Sequence, residues 1–252
     1  MVKINDFFSL SNAVSDIPDE EYQKANLFVD ILDAASRITN NSFYIIDYFK
    51  KNFLYVSDNP LFLCGNTAED VKSLGYVFYL RHVPEEEQVM LIEINRAGFD
   101  FYNEIPIEER KLYTISYNFH IINKNKKKTL INHKLTPIQL TDDGRIWLAI
   151  CNVSLSSRDT VGRIEMRKKG ELIYWKYSIT KRSWKEEKGI TLNDKEKEIL
   201  SLSAQGYSMT EIADRVCLSL DTIKFYRRKL FEKLDVKNIT EATAFAAIHK
   251  LI

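Results

Sequence analysis

The sequence predicts an α+β chain in two parts. Residues 40–157 read as a five-stranded antiparallel sheet with flanking helices, and residues 190–252 as an all-α unit of four short helices. Three observations carry that expectation. From Tyr113 to Ile121 the residues Tyr113, Ile115, Tyr117, Phe119 and Ile121 alternate with polar ones, the period of a half-buried strand. Asp142-Asp143-Gly144 is a hairpin signal between that region and another alternating run, Ile146 to Val153. From Leu192 to Leu251 apolar residues recur at helical spacing, with breaks at Gly206, near Leu218–Ser219 and near Lys237–Ile239.

Taken in order, residues 1–39 begin with an irregular lead ending at Asp16-Ile17-Pro18. An amphipathic helix follows from Asp19 to Ile38, with Tyr22, Ala25, Phe28, Val29, Leu32 and Ala35 on one stripe and Asn40-Asn41 at its end. Short strands are expected at Phe43–Asp47 and Phe53–Val56, joined by Lys50-Lys51-Asn52. A short helix falls near Leu61–Cys64, and Thr67 caps another over Ala68–Ser73. Tyr76–Leu80 reads equally as helix or strand. Pro84 suits the first position of a longer helix reaching Asn103, with Glu85, Glu86 and Glu87 where the dipole favours acids. The alternating strand Tyr113–Ile121 turns at Asn123–Lys128 and returns over Thr129–Leu140, interrupted at Pro137. Residues 158–189 hold a hairpin around Lys168-Lys169-Gly170 and then a charged linker from Thr180 to Gly189.

In the last sixty residues Asn193 with Glu196, and Ser208 with Glu211, have the spacing of capping boxes, and Gly206 suits a left-handed stop. On the third helix, Leu220 to Leu234, a helical projection puts Ile223, Leu230, Leu234 and Arg227 on one stripe and Lys224, Phe225, Arg228, Lys229 and Glu232 on the other side. An aromatic ring on a solvated basic face is out of place, whereas a major groove offers it thymine methyls. A short helix, a tight turn and a helix with a basic outer face form a helix-turn-helix.

Those residues resemble the LuxR-type (GerE/NarL-like) helix-turn-helix family. The resemblance runs through Leu192–Leu200, Gly206–Ala213, Leu218-Ser219, Thr222–Lys224, Lys233-Leu234, Val236 and Glu241-Ala242, about a quarter of the chain. Met209, Tyr226 and Ile239 depart from the family's usual Asn, His and Arg. The resemblance implies a third helix that enters the major groove of double-stranded DNA. Lys224 and Arg228 would then read base edges, Phe225 a thymine methyl, and Ser219, Thr222 and Lys233 would hold phosphates. Ala242, Phe245 and Ala246 on the last helix read either as a dimer seam, which would put two half-sites under a homodimer, or as core. The order of elements over residues 40–157 resembles a PAS sensor domain, with local cues at Phe43–Asp47, Tyr55–Pro60, Gly65 and His82–Glu86. It implies a small-molecule or protein signal, or a dimer scaffold.

Composition narrows the alternatives. The 252 residues carry 36 Lys and Arg against 35 Asp and Glu, a net charge of +1, so basic character is local to Lys224, Arg227, Arg228, Lys229 and Lys233. Three scattered cysteines, Cys64, Cys151 and Cys217, give neither a disulfide framework nor zinc spacing. No run approaches a membrane span, and the expectation is a cytoplasmic protein. No phosphate-cradling glycine loop, GxSxG elbow or HExxH helix occurs, so an enzyme is not expected. Isolated His82, His120 and His133 give no reason to expect haem, and no cofactor is expected. Tyr113, Tyr117, Phe119, Trp147 and Phe43 are weighed as cavity lining against core. The second functional reading is an interaction module whose basic helix docks an acidic protein partner.

Overall fold

A computed structural model describes residues 2–248 and 251–252. They fall into two compact units, residues 1–187 and 188–252. No helix among the described residues is long and apolar enough to cross a membrane.

The first unit starts with two 3-10 turns, Ile4–Phe7 and Leu10–Asn12, and helix α1 (Asp19–Arg37). Strands β1 (Ser42–Asp47) and β2 (Asn52–Val56) follow. Four helices come next: α2 (Pro60–Leu63), α3 (Ala68–Leu74), α4 (Val77–His82) and α5 (Glu85–Asn103). The long antiparallel strands are β3 (Tyr113–Ile122), β4 (Lys128–Leu140) and β5 (Ile146–Leu155). Then come β6 (Gly162–Lys168), β7 (Ile173–Ser178) and β8 (Ser183–Lys188). The sheet order is β2-β1-β5-β4-β3-β6-β7-β8. Its first five strands, with helices crossing between β2 and β3, are the arrangement expected for residues 40–157.

The sheet is wider than that expectation. It has eight strands instead of five, because β6 pairs with β3 and the hairpin and β8 continue outward. The stretch read as a charged linker therefore contains β8, an edge strand whose Lys185, Glu186 and Lys188 are exposed. Charge on an outermost strand blocks further pairing. Tyr76–Leu80 resolves into the start of α4. Pro84 caps α5 instead of occupying its first position. Pro137 does not break β4; the strand runs through it with a register shift against β5.

Alternation puts Tyr44, Ile46, Ile115, Tyr117, Phe119, Ile131, Leu135 and Cys151 on one face of the sheet, in a core with α4 and α5. Helix α1 covers part of the other face, where Ala25 and Leu32 pack with Ile45, Trp147 and Leu148. The irregular lead is also anchored. Phe7 is buried against Tyr76 and Tyr79. Asn12 donates to the Ile146 carbonyl at 2.9 Å and accepts from its N–H at 2.7 Å, mimicking a strand partner.

The second unit is all-helical: α6 (Asp194–Ala204), α7 (Met209–Arg215), α8 (Leu220–Leu234) and α9 (Ile239–Ile248). The expected continuation of the last helix toward Leu251 crosses residues outside those described. One apolar cluster holds it together, with Ile199, Leu200, Ile212, Ile223, Leu230 and Leu234 at its centre.

Candidate nucleic-acid interface

The interface is built from its caps. Asn193 Oδ1 accepts from the Glu196 N–H at 2.8 Å, and the Glu196 carboxylate accepts from the Asn193 N–H at 2.9 Å. Ser208 and Glu211 repeat the reciprocal pair at the start of α7. Gly206, at φ +90°, ends the first segment in the left-handed region. Each capping box satisfies backbone donors that a helix start leaves open, so α6 and α7 start where the sequence says. Asn193→Ala should lower the stability of this unit by about 1 kcal/mol. A thermal melt followed by circular dichroism at 222 nm checks it.

Helix α8 turns two faces in opposite directions. Ile223, Leu230 and Leu234 are fully buried, while Lys224, Phe225, Arg228 and Lys229 are exposed. Phe225 keeps 43% of its surface in water. Its ring is a platform for neighbouring cations, with the Arg228 guanidinium 5.7 Å and the Lys229 ammonium 4.7 Å from its centroid. That gives the misplaced aromatic an occupation even without a groove: it gathers positive charge at one spot. Lys224 reaches back to Asp221 at 3.1 Å, an exposed pair that water and salt weaken. Ser219 caps α8, its Oγ accepting from the Thr222 N–H at 3.2 Å and lying 2.8 Å from the Thr222 hydroxyl. Both hydroxyls therefore sit at the positive end of the helix dipole, where phosphate oxygens are favoured.

Two of the expected site assignments meet partners within this unit. Lys233 does not stand free for a phosphate. Its Nζ lies 2.7 Å from a carboxylate oxygen of Glu196, a residue only 5% exposed, so it ties α8 to α6. Burial pushes the Glu196 carboxyl up, but the Lys233 ammonium and the Asn193 N–H outweigh it and leave the group below the usual carboxylate range. The seam of Ala242, Phe245 and Ala246 is likewise absorbed. All three are buried in the unit's own apolar cluster, where small residues let α9 approach its neighbours closely.

Residues 191–246 match the family model described as GerE, bacterial regulatory proteins of the luxR family. Residues 191–246 are thus a helix-turn-helix domain of the kind found in the LuxR family. This is a family of DNA-binding regulatory proteins and not of enzymes. Among curated relatives of the LuxR-type domain, the response regulator protein VraR of Staphylococcus aureus is 30% identical over 101 residues, 38% of this chain and 48% of VraR. VraR of Staphylococcus saprophyticus is 39% identical over 61 residues, 24% of this chain and 29% of the relative. The chain thus spans about half the length of the curated relatives it matches, or less. Among solved structures, Vibrio cholerae VqmA in a complex with ligand and DNA is 15% identical, covering 91% of this chain and 88% of that one, at a TM-score of 0.31. A PAS domain from Colwellia psychrerythraea is 15% identical over 50% of this chain and 98% of that one, at 0.36. The first unit is PAS-like in its own strand order and helix placement.

In that PAS-like domain a small cavity between α5 and the sheet is lined by Tyr48, Asn95, Phe99, Tyr102, Tyr117 and Leu135, among others. Of the five residues weighed as its lining, only Tyr117 belongs. Trp147 packs on the opposite face with α1, with Phe43 partly buried beside it, and Tyr113 and Phe119 are core. Two histidines are held by hydrogen bonds: His82 Nδ1 to the Ile122 carbonyl at 2.7 Å and His120 Nδ1 to Glu87 at 2.8 Å. His133, also read as isolated from the sequence, has partners too. It is 1% exposed, with Nε2 2.5 Å from the Tyr44 hydroxyl, which lies 2.5 Å from that of Tyr79. Its only sequence signal is a polar residue at an inward position of β4, between Ile131 and Leu135.

Proposed function

We propose that the chain is a sequence-specific, DNA-binding transcriptional regulator. Its LuxR-type domain inserts α8 into the major groove, and its PAS-like domain receives a signal or holds two copies together. The observation that supports this best is the open face of α8, where Lys224, Phe225 and Arg228 stand side by side on a capped helix whose other face is fully packed. Lys224 and Arg228 read guanine edges, Phe225 meets a thymine methyl, and Ser219 and Thr222 hold the flanking phosphates. Two such helices in a homodimer engage two half-sites. A small molecule or a partner protein at the PAS-like domain shifts the population in which both helices are presented together.

Selection of bound sequences from random duplex DNA tests the reading, with recovery of a preferred site that survives competitor DNA as the expected result. Arg228→Ala should relax preference at a single base position, by about 1–3 kcal/mol, while leaving the other positions intact. Quantitative binding to a matched set of single-base variants of the selected site measures it. Equal losses on the selected and scrambled sites would remove Arg228 from base reading. A protein that selects no sequence, yet binds an acidic polypeptide with the same salt dependence, would favour an interaction module instead.

A further inference from the structure

Helix α1 has two apolar faces, and only one is covered among the described residues. Ala25 and Leu32 face the sheet and are buried. At 100° per residue, Leu27, Ile31 and Ala34, continued by Ile38 at the helix's C-cap, form a second stripe roughly 140° round the helix from the first. That stripe lies in water: Leu27 is 61% exposed, Ile31 57% and Ile38 85%, and Ala34 is exposed too. Its spacing of four, three and four residues is that of a helix-pairing seam.

We infer that this stripe is the contact between two copies of the chain, and that the two α1 helices cross it antiparallel. The inference deepens the two-copy reading above by naming the surface and its register. Set antiparallel so that Leu27 faces Ile38 of the other copy, the stripe is self-complementary. Ile31 then faces Ala34, and both contacts occur twice about the two-fold axis. The same register brings exposed Asp30 beside exposed Arg37 of the other copy, again twice. It also carries the acidic first turns, Asp19, Glu20 and Glu21, to opposite ends of the contact. A parallel pair would stack Lys24 on Lys24 and crowd those acidic turns together, with aligned dipoles. Charge therefore selects the antiparallel arrangement. Four side chains per copy cover less than the ~800 Å² per partner of a standard interface, so the contact is micromolar or weaker, and two half-sites on one DNA molecule reinforce it.

Sedimentation of the full chain up to several hundred micromolar, without DNA, is the test. The wild type should show a concentration-dependent dimer. Ile31→Glu should remain monomeric with an unchanged thermal melt, since the side chain stands in water. Asp30→Arg should weaken the dimer, and Asp30→Arg with Arg37→Asp should restore it. In a Cys217→Ser background, which removes the exposed thiol while Cys64 and Cys151 stay buried, a mixture of Leu27→Cys and Ile38→Cys chains should form the mixed disulfide on mild oxidation. A monomeric wild type, an Ile31→Glu chain that sediments like it, or preferential Leu27→Cys self-linkage would overturn the inference. None of these measurements involves DNA. A chain that dimerises this way but selects no DNA sequence would end the regulator reading and leave this one standing.

Discussion

Lowering the pH from 7 to 4 should destabilise the PAS-like domain by about 3 kcal/mol through one residue, His133. Its imidazole is buried in the aromatic core, ringed by Tyr44, Tyr117 and Phe119. Burial pulls its pKa from the ordinary 6.5 down to about 3. The ring stays neutral in the fold, whereas in the unfolded chain it takes a proton below 6.5. This group's stability is therefore present above pH 6.5 and is lost as pH falls from 6.5 towards 3. The slope is about 1.4 kcal/mol per pH unit across that window. Nδ1 has no hydrogen-bond partner among the described residues, so the cheapest tautomer places the proton on Nε2, donating to the Tyr44 oxygen, and leaves a bare lone pair. Trp147, Trp175 and Trp184 all lie in residues 1–187, so tryptophan fluorescence during urea unfolding reports this domain alone. His133→Phe keeps the Tyr44–Tyr79 contact and removes the titrating group, so its stability should fall less steeply between pH 6.5 and 4. Parallel pH profiles for the two proteins would mean that acid acts elsewhere.

The same residue shows what a linear reading reaches and what it does not. Periodicity separates faces, so the buried and exposed sides of α8, the alternation of β3 and the caps at Asn193, Ser208 and Thr67 were legible residue by residue. Periodicity does not name the neighbour a face meets. His133 meets Tyr44 from 89 positions away, and Asn12 meets Ile146 from 134. Neither partnership has a local signature, so the amino-terminal lead read as irregular and the histidine as isolated. Ala242, Phe245 and Ala246 were legible as a close-packing surface. Whether its partner was α6 or a second molecule depended on the path of the chain, and the domain's own core took it. Strand β8 escaped for the opposite reason. Its lysines and glutamates suit both a solvated connection and a strand at the sheet's edge, and only the hairpin before it decides between them.

Lys233→Met should weaken DNA binding on every sequence alike, as a phosphate contact would, but by unfolding the LuxR-type domain. The substitution leaves the Glu196 carboxylate buried with the Asn193 N–H as its remaining close donor. Breaking a fully buried pair costs about 3–5 kcal/mol. The Lys233 side chain is 36% exposed, so solvent reduces the expected loss to about 2 kcal/mol. A domain of some sixty residues has only about 3–5 kcal/mol to lose, so a large fraction of the protein would lack a folded α8. The double variant Glu196→Leu with Lys233→Met separates the two explanations, because an apolar pair of similar volume removes the stranded charge. If Lys233 is the tie between α6 and α8, the double variant should recover the melting temperature and most of the DNA affinity together. The single variant's loss should also shrink when a stabilising osmolyte is added. If the lysine instead holds a phosphate, the single variant should melt like the wild type. Affinity would then stay low in the double variant, and the salt slope of binding would fall by about one ion. The 2.7 Å contact with a carboxylate already held by the Asn193 cap favours the first outcome. Helix α8 is then held in place by the same acid that starts the domain's first helix.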